Sequence, residues 1–258
     1  MSAVVIMRGG LGDIVLVQRA IADLKRRLGD RELCVVTEPK YADLFMCAGA
    51  VDKLILVSGP REAKRLKQRL RSDGVVVYDL DHPFSGQRER RDRLHILERL
   101  DELLATSAAH LPPMLEVPPV SLGGGHAVLT WASSAVPKLP ADREAIWERF
   151  RRASEAAGLQ PVCIGLPADG VPASDRFEGS LLQLCGAVRG AALYFGCDTG
   201  FSHVASTAQV PSVICHIGYP IARCGVKNPN ADILYYGDSA SVNTEEVCAQ
   251  IDAAAGRL

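Results

Sequence analysis

The chain has 258 residues, 48% of them hydrophobic and 23% charged, with a formal net charge of −1. That composition belongs to a globular protein and excludes a disordered one. The near-zero charge argues against a nucleic-acid binder or a strongly basic membrane-surface protein.

The eight cysteines stand singly at 34, 47, 163, 185, 197, 215, 224 and 248, with no CxxC pair. Neither a zinc ribbon nor a redox motif is indicated, and no bound metal is expected. Buried thiols and a cytoplasmic location fit this usage, with peripheral contact to the inner membrane left open. The first residues, "MSAVVIM", lack the basic start of a secretion signal. No apolar run approaches the roughly 18 residues of a membrane span.

In chain order, "SAVVIM" reads as a buried strand, followed by a helix over about 13 to 28 from the spacing of Ile14, Val17, Ile21, Leu24 and Leu28. "ELCVVTE" is a second strand, "YADLFMCAG" a short helix and "DKLILVS" a third strand. "PREAKRLKQRLRSDG" is an amphipathic helix, "VVVYDLD" a fourth strand and "RDRLHILERLDELLATSA" a further helix. The basic residues of Arg61 to Arg71 read as a solvated helix face. "LPPMLEVPPVSLGGG", residues 111 to 125, is the best candidate for a domain boundary.

The alternation then restarts. "HAVLTWA" is a strand and "PADREAIWERFRRASEAAG" a helix opened by proline and acids. "QPVCIGLP" is a strand, and "GSLLQLCGAVRGA" a helix with Ser180 as its cap. "ALYFGCD" is a strand, "GFSHVASTAQ" a helix and "PSVICHIG" a strand. "TEEVCAQIDAAAGRL" closes the chain as a helix capped by Thr244. The expectation is α/β, with two Rossmann-like parallel-sheet domains, 1–122 and 123–258. The last helix is a candidate to cross back to the first domain.

Three stretches could carry chemistry, and each follows a strand, where open α/β sheets carry their ligands. In "GGLGD" a glycine turn feeds a helix N-terminus, which favours an anion. It is neither a Walker loop nor the dinucleotide fingerprint. Asp13 is either a specialised carboxylate over a cleft or a first-turn residue stabilising its own helix. In "YFGCDTGFSHVASTAQ", Asp198, Thr199 and the amides beyond them could cradle a diphosphate, or Asp198 could be a plain cap. In "WASSAVPKLP", Ser133 and Ser134 precede Lys138, which is either a phosphate-binding point charge or an exposed loop lysine.

In their order along the chain, the three stretches resemble glycosyltransferase family 9, the ADP-heptose:lipopolysaccharide heptosyltransferases. "GGLGDIVLVQRAIADLK" is similar to the family's N-terminal loop and helix. "WASSAVPKLPADREAIWERF" is similar to its lysine segment. "GSLLQLCGAVRGAALYFGCDTGFSHVASTAQVPSVICHIGYP" is similar to its most specific signature. The resemblance implies a GT-B fold, two such domains facing across a cleft, and an inverting transferase that needs no metal or cofactor. The donor would be a nucleoside-diphosphate sugar, ADP-heptose by family default. Asp13 would be the general base, and Lys138 would neutralise the departing diphosphate. Gly12, Ser133, Ser134, Asp198, Thr199 and Gly200 would bind the donor diphosphate. Asp169 would lie near the ribose, and His203 would line the donor site or simply pack and bond the backbone. The chain is shorter than usual between about 80 and 120, the acceptor half, and lacks the early proline of the first helix near Arg19. The acceptor stays open among glycans, lipid-linked molecules, proteins and small molecules, and the oligomeric state is not indicated. The alternatives are a nucleotide-sugar epimerase or hydrolase on the same fold, or a non-catalytic nucleotide binder. An NAD-linked dehydrogenase fits poorly.

Overall fold

The computed structural model describes residues 3–81, 95–131, 139–164, 171–218 and 221–258. The chain divides into two compact units, Met1–Val117 and Pro118–Leu258.

The first unit runs β1 (Ala3–Ile6), α1 (Leu11–Leu28), β2 (Leu33–Thr37), α2 (Ala42–Cys47), β3 (Lys53–Leu56), α3 (Pro60–Ser72), β4 (Val76–Asp79) and α4 (Ile96–Leu104). Its strands are all parallel, in the order β3-β2-β1-β4. β1 and β2 are buried along their whole length, as expected for central strands covered on both faces. α3 presses Ala63, Leu66 and Leu70 onto a core of Val4, Ile6, Cys34, Val36 and Val57. Its arginines and Lys64 are exposed, in keeping with a solvated face, and half-buried Lys67 pairs with Asp79 of β4.

α1 begins at Leu11, two residues before the sequence-based start, because Asp13 acts as the third residue of a capping arrangement on Gly10.

The second unit runs β5 (His126–Thr130), α5 (Arg143–Ala156), β6 (Gln160–Ile164), α6 (Leu181–Arg189), β7 (Leu193–Cys197), α7 (Gly200–Thr207), β8 (Ser212–Ile217), α8 (Ile221–Cys224), β9 (Ala231–Tyr236) and α9 (Thr244–Ala255). The parallel order is β6-β5-β7-β8-β9. Trp131, Trp147, Phe150 and Phe195 anchor its core, with Trp131 edge-on to Phe195 at 5.6 Å between ring centres. Ser180 caps α6 as expected, accepting from the Gln183 N–H at 3.3 Å.

The closing helix differs in its cap. Asn243, not Thr244, accepts from the N–H groups of Glu245 and Glu246. α9 packs on α5 and on strands β7 and β8, so it completes the second unit's own core. Residues 118–122 also sit with this unit. The Val120 N–H donates to the Gly186 carbonyl at 2.9 Å, and a Cβ on Gly186 or Gly190 would collide with Val120 or the backbone at Pro118. Strand β9 was not expected. Five of the eight cysteines, Cys34, Cys163, Cys185, Cys197 and Cys215, are buried.

Candidate functional site

In each sheet the strand order reverses beside the first strand of the unit: between β1 and β4, and between β5 and β7. Ligands in open α/β sheets bind outside the carboxyl ends of the strands at these points. Gly12, Asp13, Asp198, Thr199, Gly200 and His203 follow strands that border one of them.

In the first unit, the chain leaves β1 through Arg8. Its backbone N–H donates to Asp81 Oδ1 at 2.8 Å, and its Nε donates to Asp81 Oδ2 at 2.6 Å. Asp81 follows β4, so this little-exposed pair ties the two strand ends together at the reversal. Gly9 and Gly10 come next. Asp13 Oδ2 accepts from the Gly10 N–H at 3.0 Å, and its side chain lies against Gly9 so closely that a Cβ there would stand 2.6 Å from Oδ2 and 2.8 Å from the Asp13 Cβ. Asp13 therefore stabilises its own helix start, the plainer of the two readings, and the same bond fixes the carboxylate's orientation. Gly12 lies inside the first turn of α1. Burial pushes the phenol of Tyr41 up.

In the second unit, β7 ends at Cys197, and Asp198 takes its N–H to the Cys215 carbonyl at 3.0 Å. Asp198 is only 4% exposed. Thr199 is the N-cap of α7, and Ser202 closes the turn from below. Its Oγ accepts from the Thr199 N–H at 3.0 Å and lies 2.8 Å from the Cys197 carbonyl, to which it donates. Gly200 opens the helix. Asp198, Thr199, Gly200 and His203 thus come together at one helix N-terminus, where first-turn amides and the helix dipole favour an anion.

His203 Nε2 lies 3.8 Å from Asp198 Oδ1, and His216 Nε2 lies 3.5 Å from Oδ2. The Cys224 Sγ is 4.0 Å from the same Oδ2. His216 and Cys224 were not singled out in the sequence. The available signal was a polar residue one step from the end of an otherwise apolar strand.

Across the reversal, Thr130 ends β5, and its Oγ1 pairs with the Tyr194 hydroxyl at 2.6 Å. This buried pair explains Gly196, where a Cβ would run into the Tyr194 hydroxyl and stand 2.8 Å from Thr130 Oγ1. Burial pushes the Tyr194 phenol well up, so it stays protonated. Ser133, Ser134 and Lys138, which follow this strand, and Asp169 lie outside the described residues.

Solved structures share this architecture over nearly the whole chain. E. coli heptosyltransferase WaaC with ADP matches at a TM-score of 0.73 and 16% identity, covering 98% of this chain and 100% of that one. E. coli ADP-heptose lipopolysaccharide heptosyltransferase II matches at 0.75 and 15% identity, covering 100% and 99%. A glycosyltransferase family 9 protein from Veillonella parvula matches at 0.74 and 15% identity, covering 100% and 97%. The chain has the heptosyltransferase fold, GT-B. The sequence resemblance to family 9 is borne out at the level of architecture. No protein-family sequence profile and no curated protein matches the chain. Among the described residues, no helix is long and apolar enough to cross a membrane.

Proposed function

We propose that the chain is an inverting glycosyltransferase that moves a sugar from a nucleoside-diphosphate sugar to an acceptor hydroxyl. The observation that carries this reading is the Asp198-Thr199-Gly200 turn at the strand-order reversal of the second sheet. It places the N-terminus of α7 at the carboxyl end of β7 on a GT-B scaffold.

In this mechanism the α7 amides and the helix dipole hold the donor diphosphate. Asp13 takes the proton from the acceptor hydroxyl. The freed oxygen attacks the anomeric carbon from the face opposite the diphosphate. The bond from that carbon to the diphosphate oxygen breaks, and the leaving group takes the electron pair. Lys138 neutralises the charge that grows there, with Gly12, Ser133 and Ser134 as further donors. His203 would line the donor site, and Asp169 would serve the ribose. The carboxylate suits the base role because the acceptor hydroxyl becomes acidic only as the new bond forms, so position matters more than a high pKa. The reacting centre needs neither a metal nor a cofactor in this scheme. An ADP-linked heptose is the first donor to try, since one solved relative in fold is described with ADP.

The test is thermal unfolding of the full chain against ADP, GDP, UDP, CDP and NAD, with Asp198→Asn alongside. A nucleotide at a hundred times its dissociation constant adds about 2.7 kcal/mol, a rise of several degrees for a domain this size. One diphosphate should raise the midpoint, and Asp198→Asn should blunt the rise. Sugar transfer, donor hydrolysis and epimerisation are then separated by their products. A response to NAD alone, or to nothing, refutes the donor site.

A further inference from the structure

We propose that Asp198, His216 and Cys224 form a binding site for one divalent transition-metal ion of the zinc class. The expectation from the sequence was that no metal is bound, and the inference departs from it. It does not rest on the transferase reading, although Asp198 belongs to both.

The fold brings the three groups together. Asp198 follows β7, and its N–H extends the ladder onto Cys215 of β8. The next residue of β8, His216, is fully buried, and its Nε2 faces the Asp198 carboxylate at 3.5 Å. The chain then leaves β8, and the four residues of α8 return Cys224 to the same place, with Sγ 4.0 Å from Asp198 Oδ2. One oxygen, one nitrogen and one sulfur ligand atom all lie within 4.8 Å of one another. Tetrahedral zinc with ordinary bond lengths separates its ligand atoms by about 3.3 to 3.6 Å. The Asp198–His216 separation of 3.5 Å already fits this spacing, the Asp198–Cys224 separation of 4.0 Å is a few tenths of an ångström too long, and the third, within 4.8 Å, must close by up to about 1.2 Å through side-chain rotation.

The donor chemistry is selective. Calcium and magnesium take oxygen ligands, and a thiolate with an imidazole favours zinc, cobalt or ferrous iron. The charges also balance. A carboxylate, a thiolate and a neutral imidazole cancel a divalent ion, the condition under which a buried ion is tolerated. On binding, Cys224 loses its thiol proton to solvent as the metal–sulfur bond forms, and His216 binds through an unprotonated nitrogen. His203 Nε2 lies 3.8 Å from the other carboxylate oxygen. Tyr235, with its ring centre 6.2 Å from that of His216, lies beside the imidazole. The ion would tie the ends of β7 and β8 to α8, directly behind the turn that starts α7. The competing account of the same geometry is an ion-free cluster of Asp, His and Cys.

Cobalt titration of the chelator-stripped full chain decides between them. The expected result is one equivalent of Co2+ bound, with the intense visible bands of tetrahedral cobalt and a thiolate-to-cobalt charge-transfer band. Zinc should displace it. Cys224→Ser should abolish the charge-transfer band and weaken binding by about tenfold or more. His216→Gln should weaken binding likewise. Cys248→Ser, a half-buried thiol on α9, should change nothing. No stoichiometric uptake, an unchanged spectrum in Cys224→Ser, or loss of the band in Cys248→Ser would overturn the site. Circular dichroism of Cys224→Ser confirms that the fold survives this mild change. The thermal response to ADP, measured on the same stripped protein, keeps the two readings apart. An ADP shift without cobalt uptake removes only the metal, and cobalt uptake without an ADP shift removes only the donor site.

Discussion

Gly9 and Gly10 are neighbours in one loop, yet they should respond very differently to alanine. A Cβ on Gly9 meets the Asp13 Cβ at 2.8 Å and Oδ2 at 2.6 Å. Rotating the carboxylate away does not relieve the first contact, so the backbone must shift. The Asp13 bond to the Gly10 N–H is then lost as well. Loss of a capping bond costs about 1 kcal/mol, and overpacking adds about 1 to 3 kcal/mol. Some of the strain relaxes, so about 2 kcal/mol is expected in all. A Cβ on Gly10 meets only Oδ2, at an ordinary 3.8 Å, and Gly10 already has φ −67° and ψ 170°, which alanine adopts freely. A weaker N-cap preference opposes a less flexible unfolded chain, each by less than about 1 kcal/mol, so Gly10→Ala should lie within about 0.5 kcal/mol of wild type. Urea unfolding followed by circular dichroism reads both. With a slope of about 2 kcal/mol/M, Gly9→Ala should lower the midpoint by about 1 M, and Gly10→Ala should hardly move it. Equal midpoints for the two variants would refute the packing of Asp13 over Gly9.

Four further outcomes follow from the structure. Asp13→Asn keeps the shape and the acceptor oxygen, so it should leave ADP affinity unchanged and slow transfer by about 10²- to 10⁴-fold; transfer at the wild-type rate would end its role as base. Lys138→Ala should weaken donor binding and turnover together, and unchanged values for both would make Lys138 an ordinary loop residue. Gly196→Ala should destabilise by about 2 kcal/mol through its clash with the Tyr194–Thr130 pair. Tyr194→Phe should recover part of that loss in the double variant, so strict additivity in urea unfolding would contradict the geometry. Burial pushes the Cys185 and Cys215 thiols up to about 12 from an ordinary 9.0. Folding holds both thiols neutral where the unfolded chain ionises them, so this contribution is complete below pH 9 and is lost as the pH climbs toward 12. The urea midpoint should fall across that window, and a Cys185→Ala/Cys215→Ala variant, though weaker at pH 7, should show a shallower fall.

The buried strands were legible because β1, β2, β5, β7 and β8 are short apolar runs, and a central parallel strand imposes that pattern directly. β9 was not. "ADILYY" is half-exposed along most of its length, with Tyr235 52% exposed, and polar turns flank it. An edge strand that needs no continuous apolar run gives a weaker signal. The starts of α1, α2, α3, α6, α7 and α9 were legible to within two residues, whereas α4 begins at Ile96 and α5 at Arg143, later than the sequence pattern placed them; the errors at Leu11 and Asn243 share a cause. A cap is chosen by which side chain reaches a free amide, and spacing alone does not say which. The Asp198-Thr199-Gly200 turn was visible because a strand, an acid, a hydroxyl and a glycine succeed one another locally. His216 and Cys224 were hidden because only the parallel pairing of β7 with β8, and the return of the chain through α8, bring them to Asp198.

The position of α9 has a consequence for how the protein is made. The first unit is continuous in the chain, so its core can close during synthesis while the second is still emerging. The second cannot do the same. Val247, Ile251 and Ala254 complete the core around Phe150 and Phe195, so the sheet keeps an open apolar face until the last turns of α9 leave the ribosome. Shortening the chain by this helix would leave that face uncovered for good, and aggregation is the expected result.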